Sequence, residues 1–79
     1  MQLFTPRIIV KQCVVGDFTL TACLLHNDLR FKLFCKKGDD EDLLCEDLNR
    51  NPIIMLYDRW EKLLKQGLKP GRWQNYGRR

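Results

Sequence analysis

The chain has no apolar run approaching the roughly 20 residues that a membrane-spanning helix needs; its aliphatic stretches are broken by charge, or by Pro6, within a few positions. No transmembrane segment is expected. Close cysteine pairs are missing as well: Cys13, Cys23, Cys35 and Cys45 lie 10, 12 and 10 positions apart, whereas structural zinc usually draws a Cys-x2-Cys pair from one tight turn. Cys23 and His26 make a lone C-x-x-H pair, too little for a metal site. The acidic run Asp39–Asp47 has neither the central glycine nor the ligand spacing of a calcium loop. The start of the chain, MQLFTPRIIV, does not read as a secretory leader. Free thiols in a reducing, cytoplasmic setting are therefore the expectation.

Catalytic constellations are equally scarce. The single histidine, His26, stands near Asp28 and Cys23, but nothing in their spacing fixes the three together as a nucleophile, base and orienting acid. A chain of 79 residues also has little material for the walls of a water-excluding pocket. The reading is a non-enzymatic protein with no cofactor, no metal and no small-molecule substrate.

What the sequence does have is a strong separation of charge. Six of its ten acids fall between Asp39 and Asp47, and from Lys62 to Arg79 there are six basic residues and no acid, within a net charge of +4. It also has one well-marked helix. Residues Pro52–Gly67 place Ile53, Leu56, Trp60, Leu63 and Leu64 on one stripe, with Asp58/Lys62 and Glu61/Lys65 at i,i+4 spacing toward solvent. Asn51 is the expected cap, Pro52 sits where a missing donor costs nothing, and Gly67 with Pro70 stops the helix.

Three segments upstream read as strands. Arg7–Val15 is rich in β-branched residues, Phe18–Leu25 alternates apolar with small polar residues, and Leu29–Lys36 alternates apolar with basic ones. Gly16-Asp17 is a two-residue hairpin turn, and His26-Asn27-Asp28 is a second turn with Asn27 as its left-handed residue. Opposed residues of an antiparallel pair share a face. If Gly16-Asp17 is the whole first loop and the second loop has even length, one face carries Ile9, Cys13, Val15, Phe18, Leu20, Ala22, Leu24, Leu29, Phe31, Leu33 and Cys35. An odd loop would bury Arg30 and Lys32 at a cost of several kcal/mol. Lys11 is then the awkward member of the apolar face and must lie at its rim or snorkel. The acidic stretch Asp40–Leu48 reads as a short helix with Leu44 and Leu48 touching the core, a fourth edge strand being the alternative.

The expected fold is α+β: a three-stranded, or four-stranded, antiparallel β-meander packed on one face by a single C-terminal helix. Residues 1–68 form the compact domain and residues 69–79 a flexible basic tail containing aromatics. A scaffold of this size is stabilised by only roughly 3 to 5 kcal/mol.

The second sheet face is where function is expected. Ile8, Val10, Val14 and Phe34 would leave it more apolar than a monomer usually exposes, while Arg30, Lys32 and Lys36 give it positive charge. The leading reading is a small regulatory or accessory protein that docks another protein, or a second copy of itself, through Ile8, Val10, Val14, Arg30, Lys32, Phe34 and Lys36. The alternative is a single-stranded RNA or DNA binder. In that reading Arg30, Lys32, Phe34 and Lys36 join Arg72, Trp73, Tyr76, Arg78 and Arg79 of the tail, cations pairing with phosphates and rings stacking on bases.

Overall fold

The structure, a computed structural model, describes residues 7–25 and 28–70. Four strands precede one helix: β1 (Arg7–Val15), β2 (Phe18–Leu25), β3 (Phe31–Lys37), β4 (Asp40–Asp47) and α1 (Arg50–Lys65). The strands pair antiparallel in the order β1-β2-β3-β4, and α1 packs across all four. This is the expected α+β meander, with the fourth strand present.

Turn chemistry sets the hairpins. Val15 opposes Phe18 and Lys37 opposes Asp40, so Gly16-Asp17 and Gly38-Asp39 are complete two-residue loops. The positive φ falls on the glycine each time, 60° at Gly16 and 61° at Gly38, the pattern of a type II′ turn whose twist suits the flanking strands. Nothing lies near a Cβ added at Gly38, so a side chain there would meet backbone strain alone. Gly38→Val should cost about 1–2 kcal/mol, lowering the melting temperature by about 4–8 °C per kcal/mol; a melting curve that does not move would remove this hairpin. Between β2 and β3 the last opposed pair is Leu24 and Phe31, so the connection has even length, as inferred. Asn27, the proposed left-handed residue, lies outside the described residues.

The acidic segment is a strand, not the expected helix. Acids are poor strand formers in isolation, but here Glu41 opposes Lys36, Glu46 opposes Lys32 and Asp40 opposes Lys37. Opposite charges facing each other across two strands stabilise the pairing, and the basic strand β3 supplies them.

Two β-bulges shift the register where regular alternation predicts otherwise. In β1 the pairing jumps from Ile9–Cys23 to Lys11–Ala22, leaving Val10 extra; in β4 it jumps between Leu43 and Cys45, leaving Leu44 extra. Both extra residues pack against the core. Beyond the first bulge the faces exchange: Ile8, opposite Leu24, turns to the helix side, and Ile9, opposite Cys23, turns away from it. The expected placement of Ile8 and Val10 on the outer face, and of Ile9 on the inner one, is therefore corrected.

The core lies between sheet and helix and consists of Phe18, Leu20, Ala22, Leu33, Cys35, Ile53, Tyr57 and Leu64, with Trp60 partly buried beside them. On α1 the buried line runs Ile53, Tyr57, Trp60, Leu64, the i, i+4, i+7, i+11 pattern of one helical stripe. Relative to the sequence reading the stripe is rotated toward Tyr57, and Leu63 lies outside the core cluster. Lys11 stays at the rim as expected: its ammonium is 3.0 Å from Asp58 and sits over the Tyr57 ring. That contact takes Asp58 away from the anticipated Lys62, whereas Glu61 and Lys65 do pair at 3.3 Å.

The helix starts two residues earlier than predicted. Asn49 is the cap residue and makes no side-chain cap bond, while its N–H donates to Asp47 Oδ1 at 2.8 Å. Pro52 still falls in the first turn, where N–H groups have no partner inside the helix. At the other end Leu68 N–H reaches the Leu63 carbonyl and Gly67 N–H the Leu64 carbonyl, with Gly67 at φ 90°, which is a Schellman stop. Pro70 beyond it is buried. No helix among the described residues is long and apolar enough to cross a membrane.

Candidate interaction surface

The face of the sheet turned away from α1 is built from three rows. Val14, Thr19, Lys36 and Glu41 form the first; Gln12, Thr21, Phe34 and Leu43 the second; Ile9, Cys23, Lys32 and Glu46 the third. Arg7, opposite Leu25, follows at the end.

Arg7 crosses this face. Its guanidinium lies 4.4 Å from the centre of the Phe34 ring and makes a two-pronged contact with Glu41, 2.9 Å to Oε2 and 2.7 Å to Oε1. Glu41 is on the opposite edge strand and at the opposite end of the face. Three strand spacings are about 14 Å, and the run along β2 from Leu25 to Thr19 adds a further roughly 20 Å. A flat sheet would hold the two residues beyond the reach of their side chains. The sheet must curl, and the bulge at Val10, which strengthens the local twist, supplies the bend in β1.

Beneath the strap the face is closed. Cys23 is 0% exposed and Thr21 4%, although both point away from the helix. The Gln12 amide donates to Thr21 Oγ1 at 2.9 Å. Burial pushes the Cys23 thiol up, with Arg7 and Lys32 as neighbouring cations that partly offset it. The hydrogen bond from Arg7 holds the Glu41 carboxyl below its ordinary range, and the same bond raises Arg7.

Among the described residues Lys32 is the most enclosed cation, 8% exposed, and it is paired. Its ammonium contacts Glu46 and lies 3.1 Å from Asp28; the bond to Glu46, then that to Asp28, raises its pKa. Asp28 is lowered first by the Arg30 backbone N–H at 3.0 Å and then by Lys32. Arg30 itself precedes β3, with its guanidinium 3.7 Å from Glu46. Among the described residues no buried side-chain N or O lacks a partner.

The predicted site residues thus separate into groups. Val14, Lys32, Phe34 and Lys36 share the outer face as expected. Arg30 flanks it, Val10 packs on the core, and Ile8 is at the helix-side edge of β1. Arg72, Trp73, Tyr76, Arg78 and Arg79 lie outside the described residues. Sequence reasoning missed Arg7, Ile9, Glu41, Leu43 and Glu46 on this face. One signal was available: Gly38-Asp39 repeats the Gly16-Asp17 turn, and Glu41 and Glu46 are spaced nearly as Lys36 and Lys32, the odd residue between them being the bulge.

What stays exposed on the face is apolar at its flanks: Ile9 at 47%, Val14 at 69% and Leu43 at 43%. No family model, curated protein or solved structure matches the chain.

Proposed function

We propose that this protein is a small non-enzymatic regulatory or accessory protein that docks another protein, or a second copy of itself, through the outer face of the sheet. The observation that carries the reading is the pattern of exposure there: Ile9, Val14 and Leu43 flank a centre whose ions are already satisfied within the chain. Burying those flanks requires no new ion pair and releases water from apolar surface. Lys36 remains exposed and can steer an acidic partner.

Nucleic acid suits this surface less well. Glu41 and Glu46 stand opposite Lys36 and Lys32, so a phosphate approaching the cations meets two carboxylates already in place.

The test is the Val14→Lys/Leu43→Lys double variant, two exposed positions whose substitution should leave the thermal melt almost unchanged. Sedimentation equilibrium then reads self-association. A wild-type dimer that becomes a folded monomer identifies the second copy as the occupant. A monomeric wild type whose set of co-purifying proteins is the same as that of the variant removes the reading.

A further inference from the structure

A different surface, on the helix, carries its own chemistry. Pro52, Met55, Leu56 and Arg59 line a groove on α1, and Met55 is 71% exposed. At 3.6 residues per turn these four positions fall on one flank of the helix, next to the buried stripe, with Leu63 and Lys62 continuing it. The opposite flank is dressed in ion pairs, Asp58 with Lys11 and Glu61 with Lys65. The groove flank has no acid, and among the described residues neither Arg59 nor Lys62 forms an ion pair.

We infer that this flank is a docking site for an acidic amphipathic helix of another protein. Charge decides between occupants. A second copy apposed through the same flank would set Arg59 and Lys62 against their own counterparts, and the chain's C-terminal segment brings Arg72, Arg78 and Arg79; both are like-charge pairings that disfavour contact. A partner with acids around an apolar stripe satisfies the two free cations and covers Met55 and Leu56 together.

Geometry selects a helix. All described lining residues belong to α1, whose backbone bonds are internal, so strand addition has nothing to pair with. A ridge with residues at i, i+3, i+4 and i+7 is the spacing on which helix-to-helix docking works. Met55 suits such a site because an unbranched thioether side chain adapts to different partners.

The experiment uses the full chain and a short synthetic peptide with leucine at i, i+3, i+4 and i+7 and glutamate at its other positions, followed by fluorescence anisotropy. Its counterpart has lysine in place of every glutamate. The glutamate peptide is expected to bind saturably and the lysine peptide not to bind. Met55→Glu and Arg59→Glu should each weaken binding by roughly tenfold or more, with far-UV circular dichroism confirming that both variants are folded. Val14→Lys, on the other side of the molecule, should bind as the wild type does, so this result is independent of the sheet face. No saturable binding of the glutamate peptide, equal binding of the two peptides, or unchanged affinity in both helix variants overturns the inference. So does a wild-type dimer that Met55→Glu disperses, which would make the flank a self-interface.

Discussion

Tyr57→Ala is expected to leave most of the molecules unfolded at 25 °C. Tyr57 is 2% exposed at the middle of the buried stripe of α1, within the cluster formed with Leu20, Leu33, Ile53 and Leu64. Removing a buried aromatic ring costs about 3–5 kcal/mol, lost transfer energy plus the cavity left behind. A scaffold under 80 residues has roughly 3 to 5 kcal/mol in total, so the two quantities meet. Tyr57→Phe separates ring from hydroxyl: it keeps the packing of the ring and should cost no more than about 1 kcal/mol. Met55→Ala on the exposed flank should stay within about 0.5 kcal/mol of wild type. Urea titrations of the three variants give the order directly. A Tyr57→Ala protein with a cooperative transition near that of wild type would mean that the helix does not dock through this ring.

Alkaline unfolding between pH 9 and 11 is the second large effect. Burial pushes the Cys35 thiol from its ordinary value of 9.0 up to about 11. Cys23 and Cys45 are also raised, burial again being the largest cause, and the Tyr57 phenol is raised by burial and then by its bond to Cys13. A raised folded-state pKa contributes stability that is fully present below the unfolded value. As pH climbs past 9, the unfolded chain sheds these protons while the folded one keeps them, and stability falls until the folded pKa is passed. For Cys35, a shift of about two pKa units is roughly 2–3 kcal/mol, a large part of the roughly 3 to 5 kcal/mol that a scaffold of this size has, and the raised Cys23 and Cys45 thiols act in the same direction. Far-UV ellipticity and thiolate absorbance followed together against pH should change in one step. Thiolate appearing while the ellipticity is intact would show that these cysteines titrate inside the folded molecule, contrary to their burial.

Much of the fold could be read in order along the chain because its signals are local. Gly16 fixes a two-residue turn by a φ that other residues resist, and once that turn is placed, alternation assigns Cys13 and Leu20 to one side; an even second loop, required to keep Arg30 and Lys32 out of the core, adds Leu33 and Cys35. The awkward position of Lys11 followed from the same parity and was resolved as expected, at the rim and against Asp58. Beyond the bulges parity gives the wrong face. An extra residue such as Val10 has no composition that marks it, since what decides its place is the match between two strands and the core, not the preference of either segment alone. The acidic segment was misread for a related reason: its carboxylates disfavour a strand until Lys32, Lys36 and Lys37 are placed beside them.

The candidate surface was legible in outline and not in content. Alternation put Val14, Lys32, Phe34 and Lys36 on a face without a covering helix, and the structure keeps them there. It could not show that Arg7 would reach Glu41 across the sheet, or that Lys32 would be enclosed by Glu46 and Asp28, because these pairs join residues distant along the chain.

By itself the sequence determined the Gly16-Asp17 turn, the strand parity away from the bulges, the Gly67 helix stop and the presence of a single long amphipathic helix, each encoded by neighbouring residues. Only the tertiary structure decided the bulges, the fourth strand, the choice of Tyr57 over Leu63 for the core and the curl that draws Arg7 over Phe34. Those features depend on how surfaces fit once they meet, an energy that no stretch of chain possesses before it finds its partner.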